Sequence, residues 1–265
     1  MHIVTRAGLP IAYWREGQGP PIVWIQGLNA DHTAWGSQVL AFRDDYECLA
    51  LDNRDVGRSG RAGAPYTLAD MAEDVRTVLD DAGVDDAHVV GLSMGGTIAQ
   101  ELALLAPEWV RSLVLVSTFA RPDARLLAIL DAWRAIYPVL GPSAFARQSW
   151  PWLFSWRFFE RPTHLRNLQR YADNAPHPQE PDAFARQVAA NSGDDRRARL
   201  AGLRIPALVI AGAEDALVPP YLGRELAGCI PGARFVALPG VGHSANIEGR
   251  AEFNRIVREF LAAQG

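Results

Sequence analysis

Two cysteines in 265 residues are too few for a disulfide framework. Cys48 and Cys229 each sit inside an apolar stretch, which reads as buried free thiols rather than a covalent staple. No Cys/His cluster with zinc spacing occurs, so neither a metal nor an organic cofactor is expected. Basic runs are missing as well. A net charge of −4 and a pI near 5.9 leave no positive field to attract phosphate backbones, and nucleic acid is not an expected partner. Long hydrophobic runs are also absent: the longest, 112–117 and 207–211, fall far short of the roughly 20 residues that cross a bilayer. The first residues turn polar at once and lack the apolar core of a secretory signal, so a cytoplasmic location is expected.

What is present is the balance of a globular protein, 49% apolar and 21% charged, long enough to bury a sizeable core. Short β-rich runs at 11–15, 21–25 and 46–51 are bounded by Gly, Pro or Asp. From 67 to 82 the apolar residues Leu68, Met71, Ala72, Val75, Val78 and Leu79 recur at helical spacing, Thr67 can cap with Asp70 reaching back, and Gly83 ends the run. Residues 88–91, 95–106 and 113–116 read as strand, helix and strand, a βαβ unit that implies a parallel pair. The alternation resumes with a strand at 207–211, a helix at 221–227, a strand at 234–238 and a helix at 251–262. The expected fold class is therefore α/β, a mostly parallel central sheet with helices on both faces.

Between these halves the pattern changes to helical stretches broken by prolines and rich in aromatics, among them Trp133, Trp150, Trp152 and Trp156. Most of these aromatics read as helix packing, and a few as the underside of a lid that roofs a pocket. The expected organisation is a core over 1–119 and 204–265, with a helical cap over 120–203.

Chemistry concentrates at Gly91-Leu92-Ser93-Met94-Gly95, a G-x-S-x-G motif between an expected strand and an expected helix. The small flanking residues permit a sharp turn that pushes Ser93 outward, and the helix that follows aims its N-terminal amides at developing negative charge. A serine hydroxyl needs a base. Of six histidines, His243 lies in the glycine-rich loop Gly240-Val241-Gly242-His243-Ser244, after a strand and before the last helix, where catalytic side chains of parallel sheets gather. Asp215 follows the strand at 207–211 and is the expected acid, with Glu214 as the neighbouring alternative. The order Ser, Asp, His is that of α/β-hydrolases. Two backbone amides, those of Leu28 and Met94, are the expected oxyanion donors. Asn29, His32, Trp35, Trp152 and Val218 are candidate substrate contacts.

With these residues placed, the chain resembles the α/β-hydrolase superfamily, and within it the capped branch of 3-oxoadipate enol-lactonases and anthracycline methylesterases. The resemblance rests on Gln26-Gly27, the run from Asp52 to Ser59, the serine motif, the Asp215 loop and Gly242-His243. Many relatives have His-Gly at the position of Gln26-Gly27, and Asp55 replaces the first glycine of a turn that usually reads D-x-R-G-x-G-x-S. The resemblance implies hydrolysis of a carboxylic ester or lactone through an acyl-enzyme, and the aromatic-rich insertion implies a small, moderately hydrophobic substrate. Carbon–carbon bond hydrolysis, perhydrolysis and a receptor that keeps the fold without turnover are the alternatives the same residues leave open.

Overall fold

The computed structural model describes residues 1–264. Its centre is an eight-stranded sheet of β1 (His2–Arg6), β2 (Leu9–Glu16), β3 (Pro21–Ile25), β4 (Glu47–Leu51), β5 (Ala87–Leu92), β6 (Val110–Val116), β7 (Ala207–Gly212) and β8 (Arg234–Leu238). The spatial order is β1-β2-β4-β3-β5-β6-β7-β8; β2 pairs antiparallel with both β1 and β4, and all the other neighbouring pairs are parallel. The edge strand β1 has no counterpart among the sequence expectations, because its residues are mostly exposed and carry no alternating apolar face.

Side chains on successive strand residues point to opposite faces, and each face has its own helices. Val23, Ile25, Val89, Leu113 and Leu115 form one core with α2 (Leu68–Asp81) and α3 (Met94–Leu105). Ile22, Trp24, Val90, Val114 and Leu208 form the other with α1 (Gly36–Phe42) and, from the far end of the chain, α11 (Arg250–Ala262). The expected capping box of α2 is formed: Asp70 N–H donates to Thr67 Oγ1, and the Asp70 carboxylate accepts from Thr67 N–H.

Between β6 and β7 the chain leaves the sheet for α4 (Ala124–Leu153), α5 (Trp156–Phe159), α6 (Pro162–Asp173), α7 (Pro181–Asn191) and α8 (Arg197–Leu200). α4 is two helices joined at Gly141, whose φ of 72° and ψ of 169° break the spiral just before Pro142. This helical layer has its own aromatic cluster of Phe119, Trp133, Tyr137, Phe145 and Phe184, which meets Leu217 and Val218 of the core. The strands then lead back through α9 (Pro220–Cys229) and the short α10 (Ala245–Glu248). No described helix is long and apolar enough to cross a membrane.

One buried histidine links the sheet to pH. His88 of β5 is 1% exposed, its Nδ1 lies 2.8 Å from Ser112 Oγ, and burial, helped by Arg111, pushes its pKa from 6.5 down to about 4. Between these two values the unfolded chain takes up a proton that the native state refuses, so stability must fall with falling pH. Unfolding in urea should show a loss of roughly 2–3 kcal/mol from pH 7 to pH 4 attributable to this residue. The His88→Gln variant should lose that part of the slope; an unchanged slope would contradict the assignment.

Candidate active site

The serine is held at a strained turn. Ser93, between β5 and α3, has φ 56° and ψ −119°, a conformation kept only because its surroundings over-determine it. Ser93 N–H donates to Val116 O at 2.9 Å, and Thr118 Oγ1 donates to Ser93 O at 2.8 Å. The flanking glycines are required by close approach: a Cβ on Gly91 would lie 2.2 Å from Gly95 O, and one on Gly95 would lie 2.1 Å from Ile25 O. The first turn of α3 is thereby packed onto the end of β3.

That packing brings the loop after β3 against the serine. Gln26 folds its own side chain back, so that Gly27 N–H donates to Gln26 Oε1 at 2.7 Å, while Asn53 Nδ2 donates to Gln26 O at 2.8 Å. Gln26 thus supplies the loop contacts itself. The amides of Leu28 and Met94 have no protein acceptor among the described residues, which leaves both free to hold an anion.

Imidazole and acid come from the other half of the chain. His243 Nδ1 lies 2.8 Å from Asp215 Oδ2, and both side chains are almost fully buried. The second carboxylate oxygen accepts from Leu217 N–H at 2.9 Å and Val218 N–H at 2.8 Å, which fixes the acid in the loop after β7. Glu214 instead faces solvent near Arg157, at 3.7 Å. With Nδ1 committed to Asp215, Nε2 is the ring atom left for chemistry. No hydrogen bond joins it to Ser93 Oγ among the described residues; both residues line one cavity, and such contacts commonly tighten only when substrate is bound.

The cavity measures about 220 Å³. Its walls are mainly apolar, with Leu126, Leu130, Trp133, Phe145 and Phe184 from the helical layer or its cluster facing Leu28 and Val218 from the core. Asn29 lines it as well. Three expected contacts are placed elsewhere. Trp35 is wholly buried beside Trp24 and Phe253 in the core cluster, because the short helix that carries it turns its ring under the sheet. His32 stacks on Trp14 and bonds Asp52 Oδ1 through Nδ1 at 2.8 Å, which ties it to the turn after β4. Trp152 lines a separate groove with Arg125 and Ile129, while the tryptophans that reach the cavity are Trp133 and Trp150.

Several supporting residues carried no motif and escaped the sequence reading. Gln187 of α7 accepts from Asn29 N–H at 3.2 Å and donates to Arg54 O at 3.0 Å. Its neighbour Arg186 forms a two-pronged pair with Asp55, at 2.9 and 2.8 Å. Asp55 sits at φ 72°, which explains why a glycine is usual there and what the carboxylate gains in exchange. On the opposite side, Glu248 accepts from Gly242 N–H at 2.8 Å and Ser155 N–H at 3.1 Å, joining the histidine loop to the end of α4.

A strained serine between strand and helix, two free amides beside it and a buried carboxylate–imidazole pair over one sheet edge define the class, a hydrolase of the α/β type. The chain belongs to the alpha/beta hydrolase fold family, whose profile it matches over residues 20–250. It is 34% identical over 248 residues to the candidate carbamate hydrolase RutD of Azorhizobium caulinodans, covering 94% of this chain and 93% of that one. Among solved structures it is similar to a hydrolase from Pseudomonas aeruginosa PA01 (TM-score 0.88, 32% identity, 98% and 97% of the two chains covered). It is also similar to the enol-lactonase from Burkholderia xenovorans LB400 (TM-score 0.90, 29% identity, 98% and 100% covered), the branch expected from the sequence motifs.

The Asp55–Arg186 pair can be tested directly. Removing one partner of a buried ion pair strands the other, and Arg186→Ala should cost about 3 kcal/mol in denaturant unfolding. Asp55→Gly added to that variant removes both the stranded carboxylate and the left-handed strain, and should restore most of the loss. A double variant no more stable than Arg186→Ala would disprove this account.

Proposed function

We propose that this protein cleaves a carboxylic ester or lactone, with Ser93 as nucleophile, His243 as general base and Asp215 as the orienting acid. The observation that carries the reading is the buried Asp215–His243 contact, at 2.8 Å, opening onto the same cavity as the strained Ser93.

In this mechanism His243 Nε2 takes the proton as Ser93 Oγ attacks the carbonyl carbon. The negative charge that develops on the carbonyl oxygen is met by the Leu28 and Met94 amides, and by the N-terminus of α3. Asp215 holds the tautomer with the proton on Nδ1 and stabilises the imidazolium without taking the proton itself. Collapse of the tetrahedral species breaks the carbon–oxygen bond, and His243 returns the proton to the leaving oxygen. Water, deprotonated by His243, then releases the acid and regenerates Ser93. The chain contains no lysine, so a Schiff-base route has no nucleophile in it.

The apolar walls favour moderately hydrophobic substrates over sugars. The similarity to an enol-lactonase supports a lactone or ester among the acyl compounds this chemistry can open.

Hydrolysis of p-nitrophenyl acetate should vanish in Ser93→Ala and fall about four orders of magnitude in kcat in Asp215→Asn, which favours the wrong imidazole tautomer. A fluorophosphonate should add its mass to Ser93 of the wild type and leave Ser93→Ala unmodified. Full esterase activity in Ser93→Ala would refute the mechanism.

A further inference from the structure

A second, smaller cavity of about 90 Å³ lies beside the first. The two share Asn29, Ala146, Tyr171 and Ala172 as lining residues, so only that wall divides them. The far side of the smaller cavity is built by the segment between α6 and α7, including His177 and Gln179. Gln179 is 4% exposed, and both its amide atoms, Oε1 and Nε2, are buried without a protein partner. His177 Nε2 is likewise buried and unpartnered. Buried polar atoms of this kind are few in native proteins, and each carries a desolvation cost that a ligand or water must offset.

The backbone here is not loose. Tyr137, fully buried and stacked on Phe184, donates its hydroxyl to Gln179 O at 2.7 Å, which pins the residue whose side chain lacks partners. The dividing wall is less deeply packed: α6, which carries Tyr171 and Ala172, has no fully buried residue along its length and is tied to α4 by the bond from Arg147 to Asp173 at 3.0 Å. Tyr171 is held at its tip by Thr33 Oγ1, at 3.0 Å.

We infer that the smaller cavity is a substrate subsite for an amide group, a neutral head that offers an N–H and a C=O together and so matches the unpartnered acceptor and donor of Gln179. The apolar part of the same molecule lies in the larger cavity, with its scissile carbonyl at Ser93. This deepens the ester or lactone reading and rests on it for the position of the scissile bond, but not for the amide contact. A carboxylate head fits less well, since no arginine lines the smaller cavity and Asp31 does. A substrate lacking that group leaves Gln179 unsatisfied.

The kinetic test uses p-nitrophenyl ω-carbamoylalkanoates of increasing chain length against plain p-nitrophenyl alkanoates of equal length, with ω-carbamoylalkyl acetates as the series that carries the amide on the alcohol side. At one chain length in one series the wild type should favour the amide roughly tenfold in kcat/KM, the value of one buried polar group left unpaired. In Gln179→Leu that ratio should fall to about one. A ratio near one in both wild-type series, or a wild-type preference that survives Gln179→Leu, overturns the subsite. A Gln179→Leu protein with a changed melting temperature and an unchanged ratio assigns the residue to structure alone and also overturns it.

Equilibrium binding separates this from the catalytic reading. Hexanamide should bind the wild type and Ser93→Ala several-fold more tightly than 2-heptanone, its near-isostere without the donor, and Gln179→Leu should abolish the difference. That result with no ester turned over would uphold the subsite and remove the proposed chemistry. Equal binding of the two probes would remove the subsite whatever the turnover.

Discussion

The structure depends on how closely α3 is allowed to approach β3. Gly95 stands where a single methyl group would collide with Ile25 O, at 2.1 Å, and Gly91 stands against Gly95 in the same way. Only at this separation can the serine turn hold its left-handed conformation while the loop after β3 lies against it. The two amides proposed to hold the oxyanion belong to segments 66 residues apart in sequence, Leu28 and Met94, and the close packing of Gly27 and Gly95 on their neighbours brings those segments together. The imidazole side is governed differently. There a buried carboxylate, satisfied by two backbone amides and one ring nitrogen, sets the orientation of a histidine that comes from another loop.

Above the sheet edge the helical layer does two things at once. Its underside supplies aromatic and aliphatic walls, while its polar attachments hold the loops that carry the chemistry. α7 grips the loop after β3 through Gln187 and the turn after β4 through Arg186. The chain after α4 grips the histidine loop through Ser155 and Glu248. A cluster of apolar side chains alone would tolerate sliding; directional bonds at both ends fix the register between layer and sheet. The one cation in these contacts is Arg186, whose planar fork suits the two-pronged geometry seen at Asp55.

Where a residue's role follows from its neighbours in sequence, the sequence was legible. The parallel strands, the capping box at Thr67 and Asp70, and the loops bearing Ser93, Asp215 and His243 all announce themselves through local periodicity, turn residues and position after a strand. Residues whose role depends on distant contacts were not. Trp35 and Trp152 are aromatics near the right segments, but which way each ring turns is decided by partners such as Phe253 and Arg125, far along the chain. Glu248, Gln187 and Arg186 look like ordinary polar positions of helices until the fold sets them against backbone groups of other loops. The strand β1 was illegible for a different reason: it pairs through its backbone and sets only one apolar side chain, Val4, against the core.

The bond from Glu248 to Ser155 has a mechanical side. Because the same carboxylate also holds Gly242, next to His243, this edge of the roof cannot lift without dragging the imidazole from its acid. A door hung there would disarm the machine each time it opened. With α7 riveted on the other flank, α6 is the one long panel of the roof with no fully buried residue of its own, fastened to α4 by the Arg147–Asp173 bond, so a shift there costs the least packing and leaves the reacting groups aligned.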